Sequence, residues 1–255
     1  VSTGRRFRGI SGGRILLFAA LLTGYHALYL TAFRFGPALH ITLLNYLWPG
    51  FLILFGNLFF KLGSGRAGLA GAGLGFGGVA LLIGSGLTQG AGQEALFGYI
   101  LALSGAMLWA LYSNLRRLDR QDAIVSLTLV CGVSAVLSAG VELAGGSGFP
   151  TLDAGQWSII LLLAVGPAGG AFFLWDKGMK AGNAPLLSVL GYGAPVISSA
   201  LMVGFGYAEL SLMIFVSTGL IAAGGLVTGL RTAALPVRAV QPCPGSPGRP
   251  DQTPD

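Results

Sequence analysis

The stretch Asn45-Tyr46-Leu47-Trp48-Pro49 lies inside a long apolar run and has a counterpart in the second half of the chain, Gly191-Tyr192-Gly193-Ala194-Pro195. When residues 28–49 are aligned without gaps to residues 174–195, the tyrosine and the proline of the two stretches coincide. This agreement at polar and helix-disturbing positions predicts an internal duplication. Duplicated apolar segments that are interrupted at corresponding positions are typical of secondary transporters.

The composition predicts an integral membrane protein. Hydrophobic residues make up 53% of the chain and charged residues only 9%, whereas soluble domains carry roughly 25% charged residues. The net charge is +6, but the basic residues lie in short segments between apolar runs, so they indicate membrane topology and not a nucleic-acid surface. Cys131 lies in an apolar segment and Cys243 in a Pro-rich tail. We therefore expect no disulfide, metal site or redox pair.

Apolar segments of about 20 residues, the length needed to cross a bilayer, recur along the chain. The predicted membrane-spanning helices occupy residues 14–34, 38–60, 67–87, 97–116, 124–144, 157–177, 184–206 and 209–230. Residues 1–13 form a basic segment, and residues 232–255 form a Pro-rich tail that we expect to be disordered.

The basic residues give these helices an orientation. With eight spans, all but one of the 15 Lys and Arg residues fall on one side of the membrane, and Arg34 falls on the other. Basic residues concentrate in cytoplasmic loops, so we expect both termini in the cytoplasm. Helix 14–34 then runs in the direction opposite to its counterpart 157–177, and helix 67–87 runs opposite to 209–230. The duplication is therefore predicted to be an inverted repeat.

Two of the predicted helices have no counterpart in the chain. Those at 97–116 and 124–144 would correspond to helices preceding Val1. We therefore expect residues 14–87 to be the last three helices of an N-terminal five-helix repeat, and residues 97–231 to be a C-terminal five-helix repeat. The predicted fold is an all-α bundle of ten helices, of which eight are present.

Three stretches resemble motifs of a known family. They are residues 45–49, which follow an approach from Ala38, the stretch Leu108-Trp109-Ala110-Leu111-Tyr112, and residues 191–196. They are similar to motifs of the drug/metabolite transporter superfamily, EamA type, and within it to those of aromatic amino-acid exporters. The resemblance covers nearly all of residues 14–231. It implies export of amino acids or similar metabolites from the bacterial cytoplasm, across the inner membrane, through a central cavity.

Three polar aromatic residues share one face of the first predicted helix. Tyr25, His26 and Tyr29 lie within about one turn, and imidazole at membrane depth is unfavourable against lipid. We interpret His26 as a contact for the polar end of a substrate and the two tyrosine rings as contacts for its side chain. The alternative is a buried histidine bound to a neighbouring helix, with the tyrosines packed around it.

Pro49 and Pro195 each remove a backbone donor and disturb the helix one turn earlier. Carbonyls freed near Asn45 and Gly191 are tolerated in a membrane only where protein or a water-filled cavity satisfies them. We therefore interpret the two prolines as hinges. The predicted substrate-binding residues around them are Asn45, Tyr46, Trp48, Ser188 and Tyr192. The alternative is that the prolines only curve the helices, while Trp48 faces lipid.

Other aromatic and charged residues lie near predicted helix ends. Trp109 and Tyr112 either complete an aromatic lining or form an interfacial belt. Trp175 and Asp176 are interpreted as an interfacial anchor and a loop charge. His40 is interpreted as a helix cap or a residue of the outer mouth.

The leading functional hypothesis is an exporter of aromatic and other large neutral amino acids that works by alternating access. Because no Asp or Glu lies in the middle of a predicted span, we expect facilitated transport. Two scattered histidines without an acidic cluster argue against a membrane enzyme. We expect a monomer in the lipid bilayer with a small-molecule substrate, without cofactor, metal or nucleic acid. The alternatives are an exporter of another metabolite or drug, and an incomplete membrane protein that does not transport.

Overall fold

The computed structural model describes residues 11–60, 65–88, 93–119, 123–146, 151–181, 187, 191, 193–207, 209 and 211–233. Within these ranges the regular structure is entirely helical, which confirms the predicted all-α fold class. The predictions for the basic segment up to residue 10 and for the Pro-rich tail beyond residue 233 lie outside the described residues.

The helices follow the apolar segments of the sequence. The described α-helices are α1 (Gly12–Ala32), α2 (Ala38–Asn45), α3 (Trp48–Phe60), α4 (Gly65–Thr88), α5 (Gln93–Leu118), α6 (Ala123–Ala144), α7 (Ala154–Val165), α8 (Phe172–Ala181), α9 (Gly193–Gly204) and α10 (Leu212–Ala233). A π-helical segment, Gly166–Ala171, joins α7 to α8.

Several helical stretches of the described chain are long and apolar enough to cross a membrane. They are Gly12–Ala32, Ala38–Phe59, Gln93–Leu118, Ile124–Ala144 and Ala154–Met179. Two shorter apolar helices, Gly193–Gly204 and Leu212–Val227, lie within the last two predicted spans. These lengths and compositions are those of a multi-pass membrane protein. The ten-helix count and the division into two inverted repeats stay predictions.

The second predicted span, 38–60, is divided in two. α2 ends at Asn45, Tyr46 and Leu47 form a turn, and α3 begins at Trp48. Pro49 has no N–H to donate to the carbonyl of Asn45 four residues earlier, and proline is favoured in the first turn of a helix. The proline therefore explains both the end of α2 and the immediate start of α3.

The predicted span 157–177 is also interrupted, at a place that the sequence analysis did not identify. Gly166–Ala171, of sequence GPAGGA, forms a π-helix, and glycine and proline are the two weakest formers of α-helix. The preceding α7 has no buried residue, and its exposed side chains include Ile159, Leu161 and Leu162. Such an apolar surface is suited to contact with acyl chains.

Glycines bring α4 and α10 into close contact. A Cβ atom on Gly78 would lie 2.8 Å from the carbonyl oxygen of Ser217, and one on Gly224 would lie 2.7 Å from the amide nitrogen of Gly75. A larger residue at either position would collide with backbone, so this approach depends on glycine. These are the two helices that the sequence analysis paired as counterparts in the two repeats.

The long helix α5 lies at the centre of the packing. It contacts α1, α2, α3 and α8, and its buried residues include Tyr99, Ala106 and Ala110. A Cβ atom on Gly98 would lie 3.0 Å from the carbonyl oxygen of Ala32, so a small residue lets α1 approach closely. This packing brings aromatic residues of α1, α3, α5 and α8 together.

Candidate functional site

Seven aromatic side chains from four helices contact one another beside α5, and we call them the aromatic cluster. They are Tyr25 and Tyr29 of α1, Trp48 of α3, Trp109 and Tyr112 of α5, and Phe172 and Trp175 of α8. The ring centroid of Trp109 is 5.0 Å from that of Phe172, 5.2 Å from that of Tyr25 and 6.3 Å from that of Trp48. Separations of about 4.5–7 Å are those of favourable aromatic pairs. Trp109 is therefore the central member.

Trp109 and Tyr112 are both buried. They are 7% and 2% exposed, and their rings stack with centroids 5.4 Å apart. Aromatic residues of an interfacial belt lie at the surface. Both rings therefore face the interior of the bundle and do not form an interfacial belt; their role in lining a substrate path stays a prediction.

The structure places the three polar aromatic residues of α1 on one face. The rings of Tyr25 and Tyr29 stack with centroids 5.9 Å apart and planes at 7°. Nδ1 of His26 lies 2.8 Å from the carbonyl oxygen of Leu22; because a carbonyl only accepts, Nδ1 is the donor. The imidazole also contacts Tyr25 and Phe172, with ring centroids 4.7 and 5.6 Å away. Nε2 is thus the remaining polar atom of His26 at the cluster.

Asn45 lies at the interruption between α2 and α3, next to the cluster. Its side chain is buried, and Nδ2 donates a hydrogen bond to the hydroxyl of Tyr25 over 3.5 Å. Its Oδ1 has no hydrogen-bond partner among the described residues. Tyr46, the next residue, is half-buried and lies near Tyr25 and Tyr29.

Trp48 faces the cluster and not lipid. Its ring makes edge contacts with Trp175 at 5.0 Å and with Trp109 at 6.3 Å between centroids. On its other side it lies against Gly191, where an added Cβ atom would be 2.9 Å from the indole. Gly191, which belongs to the counterpart of the stretch that contains Trp48, thus lies against one side of the cluster.

The two predicted hinges lie near the beginnings of α3 and α9 as described. Pro49 is the second residue of α3 and Pro195 the third residue of α9, and both are buried. Pro49 therefore marks the start of a helical segment, whereas Gly191, one turn before Pro195, is also helical. The other two predicted substrate-binding residues, Ser188 and Tyr192, lie outside the described residues.

A buried ionic network, which the sequence analysis did not predict, adjoins the cluster. Arg116 donates to both carboxylate oxygens of Asp176 over 2.7 Å, to Asp119 over 2.8 Å and to Ser126 over 2.6 Å. Arg116, Asp119 and Asp176 are at most 5% exposed. The guanidinium also lies 5.0 Å from the ring centroid of Phe18. The network joins α5, α6 and α8.

The network corrects two interpretations made from the sequence. Asp176 is 2% exposed and forms a bidentate ion pair with Arg116, so it is not a loop charge. Trp175 is a member of the aromatic cluster, and its Nε1 donates to Ser113 over 3.1 Å, so it is not an interfacial anchor. Both residues lie near the end of a predicted span, and position along the helix alone does not distinguish a surface residue from one that faces a neighbouring helix.

His40 also differs from its predicted role. It is 7% exposed, and its Nδ1 lies 2.8 Å from the hydroxyl of Tyr99, while Pro37 occupies the cap position of α2. It is therefore a buried link between α2 and α5 and not a cap. Within the described ranges, no group of three or more His, Cys, Asp or Glu residues is placed to hold a metal ion.

An open groove lies where α1 ends and α5 begins. It has a volume of about 730 Å³ and is lined by residues 33–37 and 93–95, including Arg34 and Glu94. The ionic network lies at the other end of α5, at Arg116. The aromatic cluster therefore lies between a groove and a buried charge network.

Comparison with known proteins gives close relatives. No family model matches the chain. The chain is 34% identical over 211 residues to the aromatic amino acid exporter YddG of Ancylobacter novellus, covering 82% of this chain and 73% of the relative. It is 26% identical over 241 residues to the aromatic amino acid exporter YddG of Escherichia coli K12, covering 89% of this chain and 80% of the relative. A solved crystal structure superposes with a TM-score of 0.65 and 32% identity, covering 87% of this chain and 77% of the other.

These similarities extend over most of the chain and agree with its architecture. Both curated relatives are transport proteins, so the chain is a transport protein and not an enzyme. The multiple apolar helices and the motif at the interrupted second span agree with this assignment. The chain belongs to the family of the aromatic amino acid exporter YddG.

Proposed function

We propose that this chain exports aromatic and other large neutral amino acids from the bacterial cytoplasm along a path lined by the aromatic cluster. The observation that carries the proposal is the cluster itself, in which Trp109 contacts aromatic rings from three other helices. The names of the two curated relatives, both aromatic amino acid exporters, support the same substrate class.

The cluster offers a substrate ring favourable contacts. Offset and edge contacts between aromatic rings contribute about 0.5–1.5 kcal/mol each beyond the apolar area that they bury. A phenylalanine or tryptophan substrate that enters replaces contacts such as that between Trp48 and Trp109, 6.3 Å apart, with contacts to its own ring. A few polar groups beside a mostly apolar surface then fix its orientation; Asn45 and Nε2 of His26 are placed to do so.

Transport proceeds by alternating access, with the interrupted helices as the moving parts. The turn at Tyr46 and Leu47 separates α2 from α3 at the level of the cluster, and Pro195 lies one turn after Gly191, which is in contact with Trp48. Segments that begin at prolines can change direction relative to their neighbours without breaking the hydrogen bonds within either helix. Pro49 and Pro195 are the proposed hinges.

The protein lies in the inner membrane with both termini in the cytoplasm. The ionic network around Arg116 is on the cytoplasmic side, and the groove lined by Arg34 and Glu94 is on the opposite side. The distribution of Lys and Arg residues supports this orientation, because only Arg34 falls on the side of the groove.

An efflux assay with a matched tryptophan control tests the proposal. The complete gene product is reconstituted in liposomes that are loaded with labelled phenylalanine or tryptophan, and the initial efflux rate is measured. Trp48→Ala is expected to lower the rate about tenfold, because it removes two aromatic contacts of about 0.5–1.5 kcal/mol each. Trp157→Ala changes an exposed tryptophan of α7 outside the cluster and is expected to leave the rate unchanged.

The assay separates the alternatives. Export of phenylalanine that depends on Trp48 and not on Trp157 supports the proposal. Absence of amino-acid efflux from correctly folded wild-type protein refutes it, and a screen of other metabolites and drugs in the same liposomes then decides between a different exporter and a protein that does not transport.

A further inference from the structure

We infer that Asn45 binds the α-ammonium group of the exported amino acid. The inference rests on the proposed function and concerns the part of the substrate that the aromatic cluster does not recognise. Aromatic rings select the substrate's side chain, whereas every α-amino acid carries the same ammonium and carboxylate groups. A polar group beside the cluster is needed to position that common end.

The side-chain oxygen of Asn45 is a buried acceptor that is open to a donor. The residue is 6% exposed, and Oδ1 has no hydrogen-bond partner among the described residues. Buried polar atoms are nearly always hydrogen-bonded in proteins. An acceptor left open beside the proposed substrate path is therefore suited to a donor that the substrate supplies.

The main-chain oxygen of the same residue is a second acceptor. α2 ends at Asn45, and Pro49, four residues on, has no N–H to donate to its carbonyl. The carboxyl end of a helix also carries a partial negative charge that favours cations. A main-chain carbonyl can only accept, so this end of α2 is suited to a cation that donates, as an ammonium group does.

Most neighbouring polar atoms are already engaged, and Nε2 of His26, the remaining one, lies at the cluster with the imidazole and not at the end of α2. Nδ1 of His26 is bound to the carbonyl of Leu22, and Nε1 of Trp175 is bound to Ser113. The carboxylate of Asp176 is bound to Arg116 and does not compete for the ammonium group. The hydroxyl of Tyr25, 3.5 Å from Nδ2 of Asn45, is placed to help orient the amide.

Direct binding of three matched ligands tests the inference. Calorimetry on the purified full-length gene product in nanodiscs compares L-phenylalanine with L-phenylalaninamide, which keeps the ammonium group, and with 3-phenylpropionate, which keeps only the carboxylate. Asn45→Leu is expected to raise the Kd of the first two about tenfold or more, the effect of losing a hydrogen bond to a charged group. The Kd of 3-phenylpropionate is expected to stay unchanged.

Two further variants make the result specific. Ser217 lies at the contact of α10 with α4, and its hydroxyl, like the amide oxygen of Asn45, is buried without a partner among the described residues. Ser217→Ala is expected to change none of the three Kd values. Asn45→Asp keeps the shape of the side chain and adds a negative charge, so it is expected to bind phenylalaninamide more tightly than wild type. This variant decides the question if Asn45→Leu does not fold.

Several outcomes would overturn the inference. In Asn45→Leu, they are an equal loss of affinity for all three ligands, a selective loss of affinity for 3-phenylpropionate, or no change in any Kd. In Asn45→Asp, the contradicting result is weaker binding of phenylalaninamide than in wild type. If wild-type protein binds and exports phenylalanine, any of these results removes the role of Asn45 and leaves the proposed function intact. If wild-type protein neither binds nor exports an aromatic amino acid, the proposed function fails, and this inference fails with it.

Discussion

The indole of Trp48 lies directly against Gly191, so this side chain has no free space where it meets that glycine. A Cβ atom built on Gly191 would lie 2.9 and 3.0 Å from two indole carbons of Trp48 and 3.9 Å from the ring of Pro49. The two shorter distances are below ordinary van der Waals contact. Any larger residue at Gly191 must displace the indole, whose ring centroid is already 5.0 Å from that of Trp175.

Gly191→Ala is therefore expected to displace Trp48 and to reduce export of aromatic amino acids several-fold. Overpacking of a close-packed site costs about 1–3 kcal/mol, and a displaced indole presents a different surface to the substrate. Gly193→Ala is the matched control, because a Cβ atom there would meet nothing within 4 Å. Initial efflux rates in liposomes, normalised to protein, make the comparison. Equal rates for the two variants would show that the position of Trp48 does not matter for transport.

Where residues lie within about one helical turn of each other, their position on a common face could be predicted from the sequence. Tyr25, His26 and Tyr29 share a face because they lie close together on α1. The pairing of Arg116 with Asp176 was not predictable, since the two residues are 60 positions apart. Their charges at helix ends are equally compatible with loops at the membrane surface.

The points at which a span is divided were predictable where the sequence contains a clear interruption, and were less predictable elsewhere. Pro49 marks the division between α2 and α3 because a missing N–H leaves one carbonyl without its helical partner. The π-helical segment Gly166–Ala171 was missed, because a glycine-rich stretch inside an apolar run is compatible with several helical geometries. Its consequence is local: Phe172 and Trp175, immediately beyond it, join the cluster.

At the scale of the helices, the ion pair of Arg116 with Asp176 is the ionic contact between α5 and α8, beside the hydrogen bond from Trp175 to Ser113. Removing one partner of a buried ion pair destabilises a protein by about 3–5 kcal/mol when the other charge stays uncompensated, and by less where a second partner remains, as Asp119 does for Arg116. Asp176→Asn removes the charge and keeps the shape of the side chain. We expect it to lower the Tm of the purified protein by several degrees and to lower its yield after size-exclusion chromatography.

Glu142→Gln is the matched control for this variant. It removes the same charge from an exposed position on α6, where an isolated carboxylate contributes about 0–1 kcal/mol at most, and its Tm is expected to equal that of wild type. If Asp176→Asn and Glu142→Gln have the same Tm, the network does not hold α5 and α8 together.

At the scale of the whole molecule, the positions of the described carboxylates indicate what drives export. Asp119 and Asp176 are buried and bound to Arg116, while Glu94 and Glu142 lie exposed near helix ends. Ion-coupled transporters use an intramembrane carboxylate that binds and releases the coupling ion. Among the carboxylates of the described spans, Asp176 adjoins the aromatic cluster, but both of its oxygens are bound to Arg116.

We therefore expect export to follow the substrate gradient alone. In liposomes loaded with labelled phenylalanine, the initial efflux rate is expected to stay the same with a pH gradient of either sign, with a sodium gradient, and after addition of a protonophore. Net flux should stop when the concentrations inside and outside become equal. Accumulation against the phenylalanine gradient, driven by a proton or sodium gradient, would contradict facilitated transport. His26→Gln would then show whether His26, whose Nε2 lies at the cluster, carries the proton, because the gradient dependence would disappear in that variant and persist in Trp157→Ala.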